Sequence, residues 1–406
     1  MAETSVPPRE EGSTAHLVER GLPLQIGAAT LARLIINTSR RFPYTFALAL
    51  SRGMGVPLPA ITRLIAIHQA TGVLSPVFGP LADRWGYRLM LLAGLSLLAA
   101  GMLAAGLWPV YAMVLLALFA AGLGKSLFDP ALQSYVGDRV PYRRRGLVIG
   151  VIEFSWAGSS LAGIPLAGLL IERWGWRSPF LVLGGLGMIS VLALIWLVPG
   201  DGRGRPGAGG IASFREAWGR LSHERPALAA LVFGLLFAAA NDNLFVIYGV
   251  WMETAFGLSI VALGAATTVI GAAELLGEGL TASIADRVGL KRALLVGLAL
   301  SGLSYVLLPL AAHTLPLALI GLFVVFLTFE FTIVTGLSLF TEILPGARAT
   351  MMSSNVAAMS IGRVIGASIG GPVWLAGGLL GTGLVSAAIC VLALACLAWG
   401  LRDWKS

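Results

Sequence analysis

The stretch GPLADRWGYRLMLLAG, Gly79 to Gly94, places Asp83, Arg84, Arg88 and the helix-breaking Gly86 between two long apolar runs. It returns as ASIADRVGLKRALLVG, Ala282 to Gly297. Asp83 matches Asp286, Arg84 matches Arg287, Gly86 matches Gly289, Arg88 matches Lys291 and Gly94 matches Gly297. Each pair is 203 residues apart in a chain of 406. The chain therefore reads as two copies of one unit, each with a short charged hairpin at the same place.

Hydrophobic residues make up 57% of the chain and charged residues 12%, about half the charge of a soluble globular protein. Such a chain requires a bilayer as solvent. A membrane β-barrel would need apolar and polar residues in alternation, and runs such as MLLAGLSLLAAGMLAAGL have none. The expected fold is an all-α membrane protein with twelve transmembrane helices in two pseudo-symmetric six-helix bundles. The spans fall at 28–50, 59–80, 89–109, 112–135, 147–169, 179–199, 228–250, 260–281, 292–312, 316–339, 352–374 and 379–400.

The net charge of +8 does not point to nucleic acid, because the basic residues lie in the turns. One set of alternate turns, with both termini, holds 19 Lys and Arg, and the other set holds 3. By the positive-inside rule the richer side is cytoplasmic. Residues 1–27 are expected as a mobile cytoplasmic tail, 28–200 and 228–402 as the two bundles, 201–227 as a cytoplasmic linker and 403–406 as a second tail. The first 20 residues lack the pattern of a cleaved signal peptide, so the first span is expected to be retained. Arginine outnumbers lysine 25 to 3, which suggests a bacterial source and an inner-membrane location. Cys390 and Cys396 lie in one apolar run and suggest neither a disulfide framework nor a metal site.

Small residues repeat with the same offset. Ser159 and Gly163 lie in the fifth span, followed by Pro165, and adding 203 reaches Gly362 and Gly366, with Gly370 one turn on. Small residues on one face let helix backbones approach closely in lipid.

The chain resembles the major facilitator superfamily. GPLADRWGYR is similar to that family's signature loop between spans two and three, with Tyr87 replacing a usual basic residue. AGIPLAG, Ala162 to Gly168, is similar to the antiporter motif of span five, with Ile164 inserted before Pro165. The resemblance is strongest to the twelve-span proton-coupled drug efflux branch. It implies two bundles around a central cavity that opens alternately to each side, and no enzyme activity. It also implies that Gly79, Asp83, Arg84, Gly86, Arg88, Asp286, Arg287 and Gly289 form gating loops, with Asp83 latching the halves near the start of span eleven.

Ionisable groups inside a membrane span usually face the bundle interior or a watery cavity. Glu330, Asp129, Asp242 and Glu153 are the candidates for carrying a coupling proton, with Glu330 favoured and its partner expected among Arg40, Arg41 and Arg363. Asn37, Arg40, Arg41, Tyr44, Lys125, Trp156, Asn241, Asn243 and Arg363 are the candidate cavity residues. Lys125 and Asp129 also fit a simple i, i+4 pair, and His68 fits a packed neutral ring. Glu274 and Glu278 are assigned to the gate, near the end of span eight. GLGKS at Gly122 lacks the first glycine of a phosphate loop, and GSSLA at Gly158 lacks the last glycine of a nucleophile elbow. No cofactor or metal is implied.

The expected function is secondary active transport of a small organic molecule, by proton-coupled efflux, from a monomer in the lipid bilayer with protons as the second partner. The alternative is a carrier of small organic anions, supported by the arginines of span one. A non-transporting membrane receptor is the minor alternative.

Overall fold

The computed structural model describes residues 11–78, 85–200, 218–219, 221–344 and 348–404; among them there is helix and no strand. In lipid every backbone N–H and C=O must be satisfied internally, so apolar runs of this length become helices. Helix α1 is Glu11–Thr45, α2 Ala47–Met54 and α3 Leu58–Ala70, which passes into a tighter turn at Thr71–Leu74. Helices α4 (Tyr87–Leu107), α5 (Tyr111–Arg139), α6 (Tyr142–Gly158), α7 (Ile164–Trp174) and α8 (Ser178–Leu197) complete the first half. Helices α6 and α7 form one rod through a π turn at Ser159–Gly163.

The second half contains α9 (Arg225–Phe256), α10 (Ile260–Ala266), α11 (Thr268–Leu280), α12 (Asp286–Val288), α13 (Leu290–Ala311), α14 (Leu315–Ile343) and α15 (Arg348–Gly400). A π turn at Thr281–Ala285 joins α11 to α12. Helix α15 is two arms that meet at Gly378, where φ is 56° and ψ is −150°.

Nine helical stretches among the described residues are long and apolar enough to cross a membrane. One of them, Thr350–Gly400, has 51 residues. At 1.5 Å per residue it would extend about 76 Å if straight, far beyond a ~30 Å hydrocarbon core. The expected twelve spans take this stretch as two and include α1 and α3, which that criterion omits. Arg33, Arg40 and Arg41 interrupt the apolar run of α1, and α3 ends after 13 residues.

Helix α1 begins at Glu11, so the stretch 11–27, expected as a tail, is helical. Ile26 is buried, and Gln25 accepts a hydrogen bond from Tyr135 on α5. The expected tail up to residue 10, most of the linker 201–227 and the last two residues lie outside the described residues.

The internal repeat reaches the backbone. Gly86 and Gly289, partners in the repeat, adopt φ of 88° and 91° just before α4 and α13. Gly175 and Gly378, again 203 apart, adopt φ of 81° and 56° before the last helix of each half. A side chain strains such a backbone, so glycine is required at these breaks.

The small-residue faces pack where the repeat places them. A Cβ on Gly163 would collide with Thr38 of α1, and one on Gly362, Gly366 or Gly370 would collide with Leu235, Ala239 or Val246 of α9. Ser159 is fully buried and donates to the Trp156 carbonyl at 2.6 Å, and Pro165 lies against Gly264. The fifth span thus seats on the first, and the eleventh on the seventh.

One end of the molecule is sealed by contacts between the halves. Arg52 pairs with Glu253, Gly249 abuts the Thr45 carbonyl, and Gly168 faces the Ile260 carbonyl. Gly72 packs on Ser360 deeper between the halves.

Candidate functional site

Helix α1 presents Arg33, Asn37, Arg40, Arg41 and Tyr44 at helical spacing toward the interior, and all five are buried. Pro43 lies within the last turns, and Phe46 leaves the helical region with φ −106° and ψ 30°. The chain therefore bends just beyond this polar face.

Two polar clusters divide the face. The first is confined to the N-terminal half. Arg33 contacts Asp129 at 3.2 Å and Glu153 at 3.0 Å, and it donates to the Ile152 carbonyl. Lys125 contacts Asp129 at 2.7 Å and Asn37 at 2.9 Å, and Asn37 donates to Ser155. Two cations meet two carboxylates, so the cluster is neutral by itself.

The second cluster crosses between the halves. Arg41 makes twin hydrogen bonds of 2.9 and 2.5 Å to Glu274 on α11, and both side chains are under 5% exposed. The bent segment at the π turn brings Ser160 to the same pair, donating to Glu274 while accepting from Arg41. The Trp156 ring lies 3.9 Å from the Arg41 guanidinium and 5.2 Å from that of Arg40. Tyr44 donates to Asp242 at 2.6 Å, Gln69 donates to the Tyr44 oxygen at 2.6 Å, and Arg40 donates to the Gln69 carbonyl at 3.0 Å. Arg363 reaches Asp242 only at 3.9 Å.

These groups line one narrow cavity. Its N-terminal wall is Arg40, Arg41, Tyr44, Gln69 and Trp156. Its C-terminal wall is Asn241, Asp242, Glu274 and Arg363, with Phe245, Phe326 and Phe329. A polar, charge-bearing centre beside three phenylalanines suits a small amphiphilic molecule.

Several expected residues lie elsewhere. Asn37 and Lys125 are absorbed by the first cluster and do not line the cavity. Asn243 turns away, donating to the Thr382 carbonyl and to Ser386. Asp129 and Glu153 serve Arg33. Glu330 is 6% exposed and, among the described residues, makes no hydrogen bond or ion pair. Its expected arginine partners are engaged otherwise, Arg41 by Glu274, Arg363 by Asp242 and Arg40 by Gln69. Helix α14 instead packs Glu330 on Gly277 of α11, within electrostatic reach of Glu274 and Glu278.

Glu274 is the residue that the spacing of spans misplaced. Ending span eight at 281 puts Glu274 near the gate, whereas the helical path runs on through the second π turn to Val288. Glu274 therefore lies deeper. A signal was present: Gly271, Glu274 and Gly277 share one helix face, and both glycines are close-contact positions. His68 is buried with its Nδ1 2.7 Å from the Leu118 carbonyl, as a packed ring would be.

Of the gating residues, Gly79, Asp83, Arg84 and the Asp286 side chain lie outside the described residues, and with them the Asp83 latch. Arg88 donates to the Ile195 carbonyl at 2.7 Å, Lys291 donates to the Trp404 carbonyl, and Arg287 is exposed. Among the described residues no group of His, Cys, Asp and Glu is arranged to hold a metal ion.

The chain matches the Major Facilitator Superfamily profile twice, over residues 29–241 and 231–404. It is 28% identical over 299 residues to the uncharacterized MFS-type transporter YceJ of Bacillus subtilis, covering 73% of this chain and 75% of that protein. It is 23% identical over 345 residues to a multi-drug resistance efflux pump PmrA homolog of Lactococcus lactis, covering 82% and 81%. A POT family transporter crystallised with a thioalcohol-conjugated peptide shares the fold, with a TM-score of 0.78 at 14% identity over 94% of this chain and 96% of that one. With both halves matched, the chain is an integral membrane protein that belongs to the Major Facilitator Superfamily, a family of membrane transporters and not of enzymes.

Proposed function

We propose that this chain is a secondary active transporter that exports a small organic molecule in exchange for protons. Residues 28–200 and 228–402 would form two six-helix bundles rocking about the central cavity, in twelve spans. Both termini and the linker 201–227 would lie in the cytoplasm of a bacterium, and the protein would work as a monomer in the inner membrane. The efflux direction is supported by similarity to multi-drug efflux proteins.

The observation that carries the coupling is the Arg41–Glu274 pair. It joins the halves across the cavity floor and is fully desolvated. Rocking must break it, and a buried charge stripped of its partner is costly. Glu330, packed beside Glu274 without a cation of its own, is placed to exchange a proton when that pair opens or closes. Asp129, held by two cations of its own half, has no such changing partner.

The test uses everted membrane vesicles from cells making the protein, energised to an acid interior. A panel of lipophilic organic acids and amines is added, and vesicles without the protein serve as control. At least one compound should discharge the pH gradient only where the protein is present. A panel member that binds the purified protein and crosses with it, yet never moves the gradient, would rule out proton exchange.

A further inference from the structure

We propose that Arg40 is the anion-binding residue of the cavity, and that the transported molecule is an organic anion: a carboxylate on an aromatic body. This deepens the transport reading above and rests on it.

The charges of the cavity wall lead there. Three arginines face it, Arg40, Arg41 and Arg363, against two carboxylates, Asp242 and Glu274. The wall therefore carries one cation in excess. Both carboxylates are already engaged. Glu274 holds Arg41 through two hydrogen bonds, and Asp242 takes the Tyr44 hydroxyl with Arg363 alongside. A cationic substrate would have to displace one of these partners.

Arg40 is the cation left over. It is 9% exposed, and among the described residues no carboxylate comes within ion-pair distance. A guanidinium has five N–H donors, and the hydrogen bond found for Arg40 goes to a neutral amide, that of Gln69. The polarity of this chain is determined from Asp242 outward. A carboxylate only accepts, so Tyr44 donates to it; the Tyr44 oxygen then accepts from the Gln69 NH2 group, and the Gln69 carbonyl turns to Arg40. The network orients Arg40, and Asp242 acts on it only through space, by way of Tyr44 and Gln69, without touching it. A carboxylate is the planar acceptor that an arginine fork pairs with best.

The surroundings supply the rest of the recognition. Trp156 presents its ring to Arg40, and Phe245, Phe326 and Phe329 line the facing wall. An aromatic acid would place its carboxylate at Arg40 and its ring among these side chains. Gln69 acts as a positioning residue.

The experiment measures ligand-induced thermal stabilisation of the purified full-length protein in detergent with three matched probes: naphthalene carboxylate, naphthylmethylamine and naphthylmethanol. A second set uses the benzene analogues. The carboxylates should stabilise the protein saturably, and the amines and alcohols should not. Arg40→Gln should weaken carboxylate binding at least about 30-fold, the loss expected when one side of a buried charge pair is removed. Arg40→Lys keeps the charge but not the fork, so it should bind with intermediate affinity and covers the case in which Arg40→Gln folds poorly. Gln69→Leu should also weaken the carboxylates while leaving the protein folded. Stabilisation by the amines, by no carboxylate, or by carboxylates equally in wild type and both Arg40 variants, overturns the proposal. Vesicle transport separates it from the reading on which it rests. Carboxylates that bind through Arg40 but never cross would fail the transport reading alone, and amines that cross under a pH gradient would fail the anion site alone.

Discussion

Arg41 and Glu274, 233 residues apart in the chain, meet in a twin hydrogen-bonded ion pair in which neither side chain is more than 4% exposed. Removing one member of such a pair strands the other and costs about 3–5 kcal/mol, whereas replacing both with apolar groups of similar size is often neutral. Arg41→Met and Glu274→Gln should each lower the unfolding temperature in detergent. The double variant Arg41→Met/Glu274→Leu should regain much of that loss and still not transport. Additive destabilisation in the double variant would show that the two groups do not act as a pair.

The first cluster should behave differently. Asp129 takes Arg33 at 3.2 Å and Lys125 at 2.7 Å. Asp129→Asn leaves two cations, one of them buried, sharing one remaining carboxylate, Glu153. The expected result is loss of folded protein on size-exclusion chromatography, recovered in part by adding Lys125→Met. A well-folded Asp129→Asn protein would mean that water or Glu153 suffices.

Two opposite faces of the eleventh span give a packing test. A methyl on Gly362 would strike the Leu235 carbonyl of α9, while one on Gly371 meets nothing within 4 Å. Gly362→Ala should destabilise by about 1–3 kcal/mol, the usual cost of overpacking. Gly371→Ala should be neutral or slightly stabilising. Melting curves of the two variants, measured side by side, decide it.

The glycine breaks and the small-residue stripes were legible because they follow from one-dimensional rules: apolar length, glycine at breaks and a constant offset. Gly86 and Gly289 even share their backbone conformation. Neighbours on different helices were harder to read. Nothing in the spacing of α11 says that Glu274 rather than Glu330 meets Arg41, since that depends on how far the helix runs past residue 281. Asn241, Asp242 and Asn243 show the same limit. Consecutive helix positions point about 100° apart, so only part of the triplet could face the cavity, and Asn243 bonds to Ser386 instead. The arginines of α1 were visible as a polar face, but which of them touches no carboxylate emerges only from the packed interior.

The sealed end offers a test of motion. Arg52 and Glu253 form an ion pair there, with Arg52 about three-fifths exposed. Exposed pairs are worth roughly 0–1 kcal/mol, so Arg52→Ala should alter transport little. Locking that end should matter far more. Cysteines at positions 52 and 253, in a background lacking the free Cys390 and Cys396, should be bridged by a short bifunctional thiol reagent and transport should stop. Reduction of a cleavable bridge should restore it. Undiminished flux through the bridged protein would mean that the end need not open.

The last prediction sets Glu330 against Asp129 as carrier of the coupling proton. A coupling group must see a different electrostatic environment in each state of the cycle. Asp129 is held by Lys125 from its own helix and by Arg33 from its own half, and both partners travel with it as the halves rock. Glu330 lies on Gly277 of α11, close to Glu274, whose ion pair among the described residues is with Arg41 of the opposite half. When Arg41 leaves, the charge facing Glu330 changes while Glu330 itself stays in place. Glu330→Gln, which keeps size and loses the titrating group, should therefore abolish gradient-driven flux yet leave ligand binding and the exchange of labelled for unlabelled substrate intact. Gln at 330 should also remove the pH dependence of that exchange, an effect that a packing role alone would not produce. If Glu330→Gln still moves substrate against its gradient, Glu330 does not carry the proton.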